Sequence, residues 1–234
     1  MLLGTVCTRN CRFCSVKTGN PQGKIDPDEP ESVAKAVKEL GLKYVVLTSV
    51  DRDDLSDLGA GIFAQTVKML KSKTPELKVE VLVPDFGANE NLLRLVVDSG
   101  PDVFAHNLET VERLSPLVRD PRASYRQSLA VLKKVKKMAP TLLTKSGLML
   151  GLGETMLEVL HTFADLRSVG CDIVTVGQYL QPSRRCLPVA RYWTLEEFKE
   201  IEQEGSRMGF KYIFAAPLVR SSYQAEKIFA DERA

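Results

Sequence analysis

The chain has 234 residues, 44% of them hydrophobic and 26% charged, with 32 Lys and Arg against 30 Asp and Glu and a formal net charge of +2. That balance suits one soluble α/β domain and excludes nucleic-acid binding by bulk positive charge. No apolar run approaches the ~20 residues of a membrane span, so neither nucleic acid nor membrane is an expected partner. Five cysteines, an odd number with no secretory signal before them, point to a reducing compartment, read here as the cytoplasm.

In chain order, strand-like apolar runs alternate with segments of helical period. Residues 1–6 read as the first strand, and Cys7-Thr8-Arg9-Asn10-Cys11-Arg12-Phe13-Cys14 follows it directly. Three cysteines spaced C-x3-C-x2-C cannot all pair as disulfides. A structural zinc site wants four ligands, usually two pairs, and the chain has no second pair; its only histidines are His106 and His161. Three thiolates do suit three corners of a [4Fe-4S] cluster whose fourth iron stays open to a small molecule. A zinc site, or a redox pair of Cys11 and Cys14 with Cys7 idle, are the alternatives.

After a loop with Gly19, Pro21, Gly23 and Pro27, residues 30–40 read as helix: Val33, Ala36, Val37 and Leu40 share a face and Gly41 is the stop. Residues 43–48 form strand two, residues 60–72 a helix, residues 79–83 strand three and residues 90–98 a helix. Strand four starts at 102–105, followed by a short helix at 110–117 and a longer one at 124–138. Lys133, Lys134, Lys136 and Lys137 on that helix read as a solvated face, with a docking surface for an acidic protein as the alternative. Residues 141–150 are strand five, 155–169 a helix and 172–176 strand six. Thr194-x-x-Glu197 is a capping box that opens the next helix, and Tyr212 to Ala215 is a last short strand.

Six strand–helix repeats imply right-handed βαβ units, too few for a complete eight-stranded barrel. The expected fold is therefore α/β, a partial (β/α)6-type parallel barrel with a C-terminal extension. The chain reads as a single domain over 1–234, with its core to about 210 and a tail over 211–234. Polar groups follow the strands: Thr48, Ser49 and Asp51; Asp85; His106, Asn107 and Glu109; Gly147 to Glu154; Gln178, Tyr179 and Gln181. In a parallel barrel the C-terminal strand ends build the active site, so these groups are expected on the cysteines' face. Any single one of them could instead cap the helix that follows.

The cysteine motif after the first strand of such a barrel resembles the radical S-adenosylmethionine (SAM) superfamily. Five strings together resemble the lipoyl synthase family over essentially the whole chain: Cys7 to Cys14, Thr48 to Leu55, Thr144 to Thr155, Gly177 to Ser183, and Arg220-Ser221-Ser222-Tyr223. The resemblance implies a [4Fe-4S] cluster on Cys7, Cys11 and Cys14 whose open iron chelates SAM. One electron then cleaves SAM to methionine and a 5′-deoxyadenosyl radical. The radical takes hydrogen from C6 and C8 of an octanoyl group on a lipoyl-carrier protein domain, and sulfur is inserted to give lipoyl. An electron donor such as ferredoxin or flavodoxin is implied as a second partner.

Roles follow by position within that resemblance. Thr48, Ser49 and Asp51 are expected at the methionyl end of SAM, and Asn107 and Glu109 at the ribose. The glycine-rich stretch 147–153, Gly151 included, is expected beside the adenine, with Leu180 and Gln181 completing that pocket through backbone contacts. Lys145 or Arg126 is expected on the SAM carboxylate, and Phe13 is either a shield for the cluster or a core aromatic.

Two departures from the family pattern stand out. Cys186 occupies a position where the family usually carries His, as a neutral substitution or as an additional reactive thiol, whereas Cys171 fits the family and is expected to be buried and inert. The family also carries an auxiliary [4Fe-4S] cluster, the source of the inserted sulfur, held by three cysteines N-terminal to the barrel and a serine of the Arg-Ser-Ser-Tyr motif. Ser222 is the expected serine ligand here, but no cysteine precedes Cys7. The chain is expected to be truncated or its start misplaced, with an organelle-targeting segment upstream left open; the alternative is a paralogue that has lost the auxiliary site. As written it is expected to cleave SAM without inserting sulfur, and to form the second cluster only if N-terminal cysteines are supplied. A non-catalytic metal-binding scaffold and a different sulfur-inserting enzyme such as a biotin synthase are the competing readings; strings 144–154 and 220–223 argue against the latter.

Overall fold

The computed structural model describes residues 1–223 and 225–229; residues 224 and 230–234, part of the expected tail, lie outside the described residues. Two short strands, β1 (Val6–Cys7) and β2 (Lys17–Thr18), pair in parallel as a separate small sheet around the cysteine loop. The main body then runs α1 (Glu29–Glu39), β3 (Tyr44–Thr48), α2 (Ala60–Lys73), β4 (Lys78–Leu82), α3 (Glu90–Val97), β5 (Val103–Ala105) and α4 (Ser115–Val118). It continues through α5 (Tyr125–Met138), β6 (Leu143–Leu150), α6 (Met156–Ser168), β7 (Ile173–Gln178), α7 (Leu195–Arg207) and β8 (Tyr212–Ala215).

Strands β3 to β8 form one sheet, all parallel and in chain order. Their register is staggered: Thr48 lies opposite Leu82, Leu82 opposite Ala105, Ala105 opposite Lys145, Lys145 opposite Ile173, and Ile173 opposite Tyr212. A last strand residue on β3 therefore sits level with a first one on β7 and β8. Stagger of this kind curls a sheet toward a barrel, and the partial barrel expected from the sequence is what forms. The helices cover the outer face, burying Phe63, Val67 and Leu70 of α2 and Val131, Leu132 and Val135 of α5. Capping boxes start α6 at Thr155 and α7 at Thr194, where each threonine meets the Glu three residues on. Among the described residues no helix is long and apolar enough to cross a membrane.

The first expected strand does not form. Leu3 (φ 66°) and Gly4 (φ 83°) take the left-handed region, which an extended strand cannot contain. Only Leu2 bridges to Ser49, its N–H donating to the Thr48 carbonyl at 2.6 Å, while Leu3 N–H turns to the Glu29 carboxylate. A short apolar run marks burial, and here Leu2 and Leu3 are buried without being a strand. The helix expected over 110–117 shrinks to the single turn of α4. The sixth strand runs on to Gln178, and the final strand β8 is a full member of the sheet. At the N-terminal end of the strands, Phe229 meets Tyr44 of β3 at 6.0 Å between rings, while Tyr212 of β8 donates to the Ile228 carbonyl at 3.1 Å. Residues 228 and 229 thus span between the two edge strands of the sheet.

Candidate active site

The cysteine loop is fastened to the C-terminal ends of β3 and β4 by one side chain. Arg9 is buried, and its guanidinium meets three carboxylates. Nε lies 3.3 Å from Asp51 Oδ1, Nη2 donates to Asp53 Oδ1 at 3.0 Å and to Asp85 Oδ1 at 2.9 Å, and Nη1 reaches Asp85 Oδ2. Burial alone would raise Asp85, yet the Arg9 hydrogen bonds hold its carboxyl down at about 2. Thr8 adds a hydroxyl bond to Asp53 Oδ2 at 2.6 Å, and Asn10 N–H donates to Asp120 at 2.8 Å.

That fastening presents the three thiols together, and each sulfur accepts a backbone N–H. Arg9 N–H reaches Cys7 Sγ at 3.4 Å, Asp120 N–H reaches Cys11 Sγ at 3.3 Å, and Val16 N–H bonds Cys14. Cys7 Sγ also lies 3.7 Å from Asp51 Oδ2. Burial raises all three thiols, Cys11 to about 11. Such thiols stay protonated by themselves, but a metal centre deprotonates a coordinating thiol outright. The N–H donors already in place suit sulfurs that carry negative charge. Among the described residues no three His, Cys, Asp or Glu side chains close on one ion; thiolates on separate irons of a cluster do not need to.

Beside the thiols lie two adjoining hollows that share Phe13, Asn107 and Glu109. One also contains Cys11, Thr48, Ser49 and Asp51, and the other Gly147, Gly177, Leu180 and Ser221. Six of the expected ligand-binding residues therefore line one continuous surface: Thr48, Ser49, Asp51, Asn107, Glu109 and Leu180. Ser49 Oγ, Asn107 Oδ1 and Arg119 Nε are buried there without a partner. An unmet buried polar group costs about 1–3 kcal/mol, which a ligand rich in hydroxyls and charge relieves. The residues present fit such a ligand next to a cluster.

Glu109 reaches the hollow from a backbone at φ 69°, unusual for a non-glycine residue. Its N–H donates to the Gly147 carbonyl at 3.0 Å and its carbonyl accepts from Met149 N–H at 2.9 Å, so β6 holds that conformation. Burial raises its carboxyl. Two glycines form the opposite wall. A Cβ on Gly147 would stand 2.8 Å from Asn107 Oδ1, and one on Gly177 would stand 2.1 Å from the Val219 carbonyl oxygen. His106 is buried, its Nδ1 donating to the Val83 carbonyl and its Nε2 bonding the Ser128 hydroxyl, at 2.9 Å each.

Other expected residues are elsewhere. Lys145 is buried with its ammonium 2.9 Å from Glu80 Oε1, and Arg126 is exposed and paired with Glu112, so neither faces the hollow. Both sit too far down or outside the barrel: Lys145 lies mid-strand, and Arg126 is on the outer face of α5. Gly151 packs instead of binding: its N–H donates to Glu154, and a Cβ would stand 2.1 Å from the Gln178 amide. Gln181 donates its amide to the Cys186 carbonyl at 2.8 Å. Ser222 is exposed, whereas Ser221 lines the hollow and accepts from Asn107 Nδ2 at 3.0 Å. Cys171 is fully buried and raised to about 12 by burial, as expected of an inert thiol. The roles of Arg9 and Arg119 emerge from the structure alone, while Asp85, expected on this face, proves to be a partner of Arg9. Arg9 stood inside the motif, but nothing in the pattern told which carboxylates it would meet.

Parallel strands, a loop of three thiols at their C-terminal ends and an adjoining polar hollow together define a radical SAM domain, and a model of the radical SAM superfamily matches residues 1–166. Among solved structures, the FeFe-hydrogenase maturase HydG from Carboxydothermus hydrogenoformans shares the fold, with a TM-score of 0.69 at 14% identity over 98% of this chain and 64% of that chain. Two curated relatives are far nearer in sequence, both described as lipoyl synthase. That of Halorhodospira halophila is 58% identical over 228 residues, covering 97% of this chain and 68% of the relative. That of Thermus thermophilus is 54% identical over 231 residues, covering 99% and 72%. The chain belongs to the lipoyl synthase family of the radical SAM superfamily.

Proposed function

We propose that this chain forms a 5′-deoxyadenosyl radical from SAM and directs it at C6 and C8 of an octanoyl group on a lipoyl-carrier protein domain. One juxtaposition carries the reading: three thiols with N–H donors on their sulfurs stand beside a hollow whose Ser49 Oγ and Asn107 Oδ1 lack partners. Cys7, Cys11 and Cys14 hold the [4Fe-4S] cluster, which with SAM supplies the one-electron cleavage to methionine and the radical.

The other tasks fall to side chains. Thr48, Ser49 and Asp51 face the methionyl end, and Asn107 and Glu109 receive the ribose hydroxyls. Arg119, with an unpartnered Nε in the same hollow as Cys11, replaces Lys145 and Arg126 as the cation for the carboxylate. Gly147 and Gly177 let backbone approach the adenine, and Phe13, Tyr179 and Leu180 wall the hollow against water. Beyond the motif, Cys171 and Cys186 are buried in separate surroundings and supply no second set of thiolates. Sulfur insertion by these 234 residues therefore awaits further cysteines, and Ser221 joins Ser222 as a candidate serine for the auxiliary site. A single domain working in a reducing compartment accommodates all of this.

Anaerobic turnover with SAM, a reductant and an octanoyl-lysyl peptide deuterated at C6 and C8 tests the substrate. Deuterium in the 5′-deoxyadenosine is expected. Unlabelled 5′-deoxyadenosine, or transfer from deuterated dethiobiotin in its place, would reject an octanoyl substrate.

A further inference from the structure

The surface directly over Cys14 carries cations without counterions. Arg12, Lys17, Arg184 and Arg185 are all exposed, and none is in an ion pair among the described residues. They come from two segments that bind each other. Leu187 N–H donates to the Arg12 carbonyl at 2.9 Å, Arg185 Nη2 to the Ser15 carbonyl at 2.5 Å, and Cys186 Sγ lies 3.4 Å from the Cys14 carbonyl oxygen. No Asp or Glu occurs from residue 9 to 25 or from 180 to 195. The two segments meet at the backbone of Cys14, with nothing acidic on either to neutralise the four charges; the Arg12 guanidinium itself donates to the Leu117 carbonyl at 3.3 Å. Two of the four lysines of α5 are employed otherwise: Lys134 donates to the Ala88 carbonyl, and Lys136 to Asp172 and the Leu142 carbonyl.

We propose that this patch docks an acidic one-electron carrier protein of the flavodoxin or ferredoxin class, which delivers its electron to the cluster through the Cys14 side. The inference rests on the functional reading above. The carrier loses one electron and the oxidised cluster gains it, with no other co-reactant. Exposed unpaired cations steer an acidic partner and raise its encounter rate, and an electron crosses fastest where the least protein intervenes. Here the 184–187 segment of the patch bonds directly to the Ser15 carbonyl and to the backbone of the cluster ligand Cys14. The octanoylated carrier has a different requirement. Its acyl chain must enter the hollow lined by Leu180, Val219 and Ser221, so its docking belongs at that mouth.

The test uses reconstituted holoprotein and the double variant Lys17→Glu/Arg184→Glu, whose side chains make no ion pair in the structure. Stopped-flow reduction of the cluster by a bacterial flavodoxin hydroquinone is measured against salt, with calorimetric affinity for oxidised flavodoxin alongside. Expected are a fall of about tenfold or more in the bimolecular rate at low salt, weaker flavodoxin binding, and convergence with the wild type as salt screens the patch. SAM cleavage driven by dithionite, a small reductant, should be unchanged. An unaltered flavodoxin rate overturns the proposal, and so does a defect that appears as a raised KM for octanoylated carrier under dithionite. Failure of the wild type to cleave SAM with dithionite would instead overturn the functional reading, and that is decided before the variants are compared.

Discussion

Arg9 decides where the cysteine loop lies. One guanidinium compensates Asp51 and Asp85, and shares Asp53 with Arg122, in a site from which water is largely excluded. Removing one partner of a buried ion pair costs about 3–5 kcal/mol because the other charges are left uncompensated. Arg9→Ala should therefore lose about 3 kcal/mol in urea unfolding and retain markedly less iron after reconstitution; a variant of wild-type stability with full iron would refute the anchoring role. His106 gives a pH signature. Burial, then the Arg119 charge, lower its imidazole from 6.5 to about 4. The unfolded chain takes up a proton below pH 6.5 that the folded chain refuses until about 4. Stability from this group is whole above 6.5, falls as the pH drops through that window and levels below it, on the order of 3 kcal/mol in all. His106→Gln should flatten that part of the stability curve, measured as the difference from wild type; parallel curves would count against it. The cysteines were plain in the sequence because their spacing is itself chemical. Arg9 and Arg119 were not, because their partners lie on other strands and only folding brings them together.

Strands and helices were legible wherever one face is buried, since burial writes its period into the chain. The six strands of the sheet and their covering helices appear close to where the pattern puts them. The exception is residues 1–6, where Leu2 and Leu3 are buried but positive φ at Leu3 and Gly4 breaks the expected strand into a single bridge at Leu2 and the start of β1 at Val6. Lys145 shows the same limit at the site. Chain position put it beside the expected ligand residues, but its place along β6 sets it against Glu80. The strand ends that do build the hollow depend on close backbone approach. Gly177 on β7 lies against the Val219 carbonyl, so Gly177→Ala must push residues 219–221 away from the hollow. About tenfold weaker SAM binding is expected by calorimetry on the reconstituted protein, from displacement of Ser221 and its bond to Asn107. Unchanged affinity would mean that the segment lies outside the ligand's reach.

The open sheet gives the molecule one C-terminal rim, where the motif thiols and the lining of the hollow gather, while Lys145 lies inside the barrel wall and Arg126 on the outer face of α5. The motif thiols are three of five cysteines, and the other two are buried in different surroundings, Cys186 against the Cys14 carbonyl and Cys171 against the Thr144 carbonyl, so reconstitution should yield about four irons per chain. A value near eight would reveal a second cluster site within these residues. The most direct test is anaerobic SAM cleavage by the reconstituted protein with dithionite, followed as 5′-deoxyadenosine and methionine, in the wild type and in Cys7→Ala, Cys11→Ala and Cys14→Ala. Expected are equal amounts of both products from the wild type and none from any of the three variants. Cleavage that survives loss of one of these thiols, or a wild type that holds four irons and cleaves no SAM, would contradict the assignment of the site.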